Sequence, residues 1–118
     1  MIVCLRTVVV PAEVRACYLE WISEGRAVRE AHGIVAEWVL EPASDGGDTV
    51  VVTVWPSHGV FDAWIATPDR DRLTASEVHS SVDYRPITRY ELAGGYTNLA
   101  GLTALGSQYS PEPKEEHP

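Results

Sequence analysis

The sequence predicts an α+β fold of βαββαβ order, and three observations carry that prediction. A β-branched run, Val50, Val51, Val52, Thr53 and Val54, ends at Trp55-Pro56-Ser57 and passes straight into a short segment with one apolar face. Ahead of it, residues 12–31 repeat apolar side chains every three or four positions, as a helix does. Strand-like segments at residues 2–10, 33–41 and 82–92 complete the alternation of element types.

Strand one, residues 2–10, stops at Pro11, which has no N–H to give to a ladder. In helix one, residues 12–31, Val14, Cys17, Tyr18, Trp21, Ile22, Gly25 and Val28 form an inward stripe, with Glu13, Glu20, Arg26 and Glu30 mostly outside it. Strand two spans residues 33–41, and PASDGGD at 42–48 turns the chain, Gly46 and Gly47 supplying permissive dihedrals. The third strand follows as a hairpin partner, its alternation setting Thr49, Val51, Thr53 and Trp55 on one face. Ser57 caps helix two, residues 57–66, in which Val60, Phe61, Trp64 and Ile65 share a face. Thr67 caps a further helical piece with Pro68 at its first position, reaching residue 78. Strand four, residues 82–92, contains Pro86, which argues for an edge position or a bulge.

Composition sets the outer bounds. A chain of 118 residues, 45% hydrophobic, buries one modest core, so self-association into a homodimer is expected to add stability. The formal charge of −8 opposes nucleic-acid binding, since Arg70 and Arg72, the nearest thing to a basic stripe, alternate with Asp69 and Asp71. No apolar run approaches the ~20 residues that span a bilayer, and no leader-like segment is visible, so no membrane partner and a cytoplasmic location are expected. Cys4 and Cys17 are too few for a disulfide framework and read as small core residues. His32, His58, His79 and His117 are not spaced as metal ligands, and no metal is expected. Residues 1–93 read as the folded domain. Residues 94–110, with Leu99, Leu102 and Leu105 every third position, read as an apolar arm for a partner subunit or the pocket mouth, and residues 111–118 as a disordered tail.

The strand-to-helix pattern of Trp55, Ser57, Val60, Phe61 and Trp64 resembles the antibiotic biosynthesis monooxygenase domain family. The likeness extends to LRTVVVPAE at residues 5–13 and AHGIVAEWVLEP at 31–42, and covers roughly residues 2–92. It implies a ferredoxin-like α+β domain that pairs into a dimeric barrel, with a pocket between sheet and helices. It also implies a cofactor-independent monooxygenase in which molecular oxygen attacks an aromatic, polyketide-like phenol, the Trp55 indole N–H facing developing oxyanion charge. Val51 and Phe61 stand where oxygenating members carry Asn and Tyr, and neither can donate a hydrogen bond. Tyr18, Trp21, Trp38, Tyr84 and Tyr90 are the aromatic residues that could compensate.

Trp55 and His79 are the catalytic candidates, and Val51, Phe61, Trp64, Tyr18, Trp21 and His32 the substrate-binding ones. His32, at the end of helix one, also reads as a cap favoured by the dipole. Arg6 and Arg85 lie in strands and read as salt bridges at a sheet edge or subunit seam, or as a clamp for a carboxylate or phenolate. Alternatives on the same scaffold are a cyclase, a flavin-assisted ring-cleaving oxygenase and a non-catalytic small-molecule-binding barrel. Haem-degrading relatives of the scaffold resemble this chain at Trp64 and at residues 87–96, but Thr74 falls where their iron-ligating His is expected and Leu5 where they carry Asn. With no dinucleotide fingerprint either, no cofactor is expected.

Overall fold

The computed structural model describes residues 1–96 and Asn98, and its sheet is centred on β1 (Ile2–Val9). One edge of β1 pairs antiparallel with β3 (Thr49–Trp55), from Ile2 opposite Trp55 to Val8 opposite Thr49. β3 pairs in turn with β2 (Ala36–Leu40). The other edge of β1 takes β4 (Asp83–Tyr84) and then β5 (Thr88–Glu91). The resulting order, β2-β3-β1 and then β4 with β5, is the antiparallel ferredoxin-like α+β arrangement. The helical segments are a 3₁₀ turn (Ala12–Val14), α1 (Arg15–Glu24), α2 (Arg26–Ala31), α3 (His58–Ile65), α4 (Pro68–Thr74) and α5 (Glu77–Ser80). None among the described residues is long and apolar enough to cross a membrane.

Strand alternation gives the sheet two unlike faces. Ile2, Cys4 and Val8 are buried on the inner one, where they meet Trp55, Phe61 and Trp64 at one end and Tyr18, Ile22 and Val82 at the other. The outer face carries Leu5, Val50, Val52, Trp38 and Leu40, all part-exposed or exposed.

Several boundaries differ from those read in the sequence, each for a local reason. Helix one is broken at Gly25, where a Cβ would lie 2.5 Å from Arg29 Nη1 and 3.2 Å from Leu73 Cδ1, so the absent side chain lets α4 and the Arg29 guanidinium close in. Cys4 is buried as expected, but Cys17 is exposed. β2 begins at Ala36 rather than residue 33, because Gly33 (φ 102°) follows the α2 C-cap in the left-handed region and its N–H closes on the Glu30 carbonyl at 3.0 Å. Thr67 caps α4 as read, its Oγ1 accepting from Arg70 N. That helix stops at Thr74 because Ser76 turns extended and caps α5, accepting from His79 N at 3.1 Å.

The fourth strand is both an edge and a bulge. Tyr84 lies opposite Val8 but Thr88 lies opposite Leu5, so the β4–β5 edge carries one residue more than β1 across Pro86. That extra residue turns both Tyr84 and Ile87 inward, where they join the two core clusters. The proposed tail, and the proposed arm apart from residues 94–96 and Asn98, lie outside the described residues.

Candidate functional site

A cavity of about 140 Å³ lies between the inner sheet face and the helices. Register builds its floor: Cys4 sits opposite Thr53, and Arg6 opposite Val51, so alternate residues of β1 and β3 point the same way. One end is aromatic wall, with the Trp55 ring 5.3 Å from Phe61 and 6.2 Å from Trp64. At the other end Tyr18 stacks on Trp21 at 5.8 Å, Trp21 meets His79 at 5.3 Å, and His79 stacks on Tyr84 at 4.4 Å. Arg6 lies over the Tyr84 ring, 5.2 Å from its centroid.

Seven of the eight residues expected at the site line this cavity: Trp55, His79, Val51, Phe61, Trp64, Tyr18 and Trp21. His32 does not. It occupies the α2 C-cap position, its Nε2 lies 2.9 Å from Asp69 Oδ2, and its ring packs on Trp64 at 5.1 Å, so the cap reading describes it better than a substrate contact. Among the compensating aromatics, Tyr84 lines the cavity, whereas Trp38 and Tyr90 lie on the outer face and Tyr90 is 54% exposed.

The indole of Trp55 is 1% exposed, and its N–H already donates to Thr53 Oγ1 at 2.9 Å. Trp21 likewise gives its N–H to the Leu73 carbonyl at 3.0 Å. Neither indole offers a free donor to a ligand, and Trp55 acts here as a large, hydrogen-bonded wall. Trp55→Phe is therefore expected to lower stability by about 1–3 kcal/mol, for lost packing and an orphaned Thr53 partner, as read by thermal melting. An unchanged melt would return the N–H to the ligand.

Polar chemistry gathers at the Tyr84 end. Burial first, then the charges of Arg70 and Arg6, holds the His79 imidazole below its ordinary range, so it is neutral at pH 7 and able to accept a proton. Burial pushes the Tyr18 phenol up to about 12 and carries Tyr84 higher still, helped by Tyr18 itself, so both remain neutral phenols. Tyr84 Oη is buried without a hydrogen-bond partner among the described residues. Burial also raises the Cys4 thiol, which argues against a thiolate nucleophile. Among the described residues Arg6 makes no salt bridge of the kind expected for it, whereas Arg85 lies 2.5 Å from Asp83 Oδ2 at the exposed edge.

Sequence reasoning missed three charged cavity residues, Arg29, Glu37 and Arg70. Arg29 Nε lies 2.6 Å from Glu37 Oε1 and Nη2 donates to Oε2 at 3.0 Å, a forked pair closed further by Nη2 on the Ile22 carbonyl. Spacing held the signal for Arg29, since Tyr18, Ile22, Gly25 and Arg29 recur at steps of four, three and four.

The expected haem site is not built here: Thr74, where the iron-ligating His would stand, gives its hydroxyl to the Arg70 and Asp71 carbonyls, and the cavity of about 140 Å³ is smaller than a haem.

No protein-family model and no curated protein matches the sequence. Solved structures do. An antibiotic biosynthesis monooxygenase assignment from Deinococcus radiodurans is 27% identical, covers 83% of this chain and 97% of its own, and superposes with a TM-score of 0.61. SnoaB, a cofactor-independent oxygenase from Streptomyces nogalater, is 15% identical over 83% of this chain and 95% of its own, with a TM-score of 0.59. The heme-degrader MhuD from Mycobacterium tuberculosis, with two hemes bound, is 19% identical over 82% of this chain and all 100% of its own, with a TM-score of 0.65. The last two identities speak for the fold alone. In fold, and in the 27% identity and near-complete overlap of the Deinococcus protein, the chain is similar to solved structures named for antibiotic biosynthesis monooxygenases.

Proposed function

We propose that this protein is a cofactor-independent monooxygenase for a small aromatic phenol. The observation that carries the reading is the neutral His79 imidazole stacked on the half-buried Tyr84 ring inside a cavity of ring-like size. A cavity of ~150 Å³ is known to hold benzene in another protein, so about 140 Å³ suits one or two rings better than a tetracycle.

In the proposed reaction His79 takes the phenol proton, and the phenolate gives one electron to O₂. Phenoxyl radical and superoxide then combine at a ring carbon to form a peroxide C–O bond. Breaking its O–O bond with loss of the C–H proton leaves a carbonyl and releases water. For 1-naphthol going to 1,4-naphthoquinone, one oxygen atom of O₂ enters the product and the other leaves as water. The substrate supplies all four electrons, so no reductant is required. The aromatic walls exclude water from the radical pair, and the cationic end favours the phenolate.

Oxygen uptake with a panel of naphthols, using ¹⁸O₂, is expected to place one labelled atom in the quinone. Tight binding with no uptake would favour the non-catalytic barrel, a reading that Val51 and Phe61 support because neither offers a donor. Uptake only on addition of a flavin would favour the assisted oxygenase.

The outer sheet face supports homodimerisation. Leu5, Val50, Val52, Trp38 and Leu40 form an apolar surface outside the two core clusters, and a second sheet laid on it would close a barrel. Light scattering at micromolar concentration is expected to give twice the chain mass, and a clean monomer would remove the barrel.

A further inference from the structure

We propose that the ligand of this cavity is an aromatic acid whose carboxylate is held between Arg6 and Arg70. The inference rests on the cavity being a small-molecule site and deepens that reading by naming the ligand's charge.

Arg6 stands on β1 between Cys4 and Val8, facing inward, and its Nε is buried without a hydrogen-bond partner among the described residues. Arg70, in the first turn of α4, lines the same cavity and is half-buried. Neither makes an ion pair among the described residues, and nor does Arg26 outside the cavity, whereas Arg15, Arg29, Arg72, Arg85 and Arg89 each meet a carboxylate. Among the described residues the one carboxylate lining the cavity, Glu37, is taken by Arg29. No internal phenolate can serve as counter-ion either, because Tyr18 and Tyr84 stay protonated well above neutral pH.

Two like charges thus share a partly dry site in a protein whose formal net charge is −8. Burial, then Arg70, weighs against the charged form of Arg6, which is the cost an anionic ligand would relieve. A carboxylate fits because its two oxygens match the guanidinium fork, and because a ring carrying it fits the aromatic walls beyond.

The test is calorimetric titration of the full chain with 2-naphthoate and with its uncharged amide, 2-naphthamide, at pH 7.5. The acid is expected to bind roughly 10- to 100-fold tighter than the amide, the range for charge-assisted hydrogen bonds. Arg6→Gln and Arg70→Gln should each lower the acid-over-amide preference by up to about tenfold. Arg70→Gln, on the half-exposed α4, carries the test should Arg6→Gln fail to fold. Equal binding of acid and amide by the wild type, or a preference that survives both substitutions, would overturn the proposal. Acid-selective binding with no oxygen uptake would leave the clamp standing and remove the oxygenase, while uptake of neutral naphthols with no acid preference would do the reverse.

Discussion

His79→Ala is expected to lower oxygen uptake by roughly 10²- to 10⁴-fold, the usual range for losing a positioned general base. The wild-type pH profile gives a second readout. Uptake should fall on the acid side as His79 becomes protonated, and that limb should lie below about pH 6.5, the ordinary histidine value, because burial, Arg70 and Arg6 all disfavour the imidazolium. Arg70→Gln removes one of those charges and should move the limb upward. The same sign applies to stability: with a depressed folded value, the unfolded chain binds the proton more readily, so His79 withdraws stability as pH falls below its ordinary value. A His79→Ala variant with undiminished uptake would end the base assignment, whatever happened to its melting temperature.

The second large effect concerns the ion pair at the floor of the cavity. Arg29 and Glu37 have side chains only 10% and 9% exposed, and each is the other's neutralising partner. Removing one leaves a bare charge in a dry site. Arg29→Met is therefore expected to cost about 3–5 kcal/mol, a fall in melting temperature of roughly 15 °C or more. Arg29→Met combined with Glu37→Leu should recover most of that loss, since apolar groups of similar volume replace a buried pair at little net cost. A double variant as unstable as the single one would show that packing, rather than charge, governs this corner.

Much of this architecture was legible because it follows from period and from caps. Two-residue alternation in β1 and β3, Ser57 before α3, and Thr67-Pro68 before α4 each specify local geometry without help from the rest of the chain. The breaks were harder to see. The apolar stripe of the first helix runs through Gly25 without losing phase, so only the approach of Leu73 and Arg29 reveals why a side chain is missing there. Cys17 sits on that stripe by spacing and yet faces solvent, since α1 buries only Tyr18 and Ile22 against the sheet.

The charged part of the site was hidden for a different reason. Glu37 and Arg29 belong to separate elements, and nothing local announces their pairing, although alternation around Trp38 already set Glu37 and Val39 on the opposite face of β2. Arg70, flanked by Asp69 and Asp71, looks like part of a solvated charge run until the helix is built and turns it inward. The destination of the Trp55 N–H was within reach, because Thr53 is its same-face neighbour two residues back.

The extra residue around Pro86 makes side-chain direction in the last strand a matter of parity. Upstream of it, even-numbered Tyr84 looks into the cavity; downstream, odd-numbered Ile87 does so, and Arg89 reaches the Phe61 ring and Asp62. Shortening this segment by one residue would keep every amino acid beyond it and still exchange its inside for its outside, offering Thr88 and Tyr90 to the core in place of Ile87 and Arg89. The identity of the cavity wall on this side is thus stored in a count of residues as much as in their chemistry.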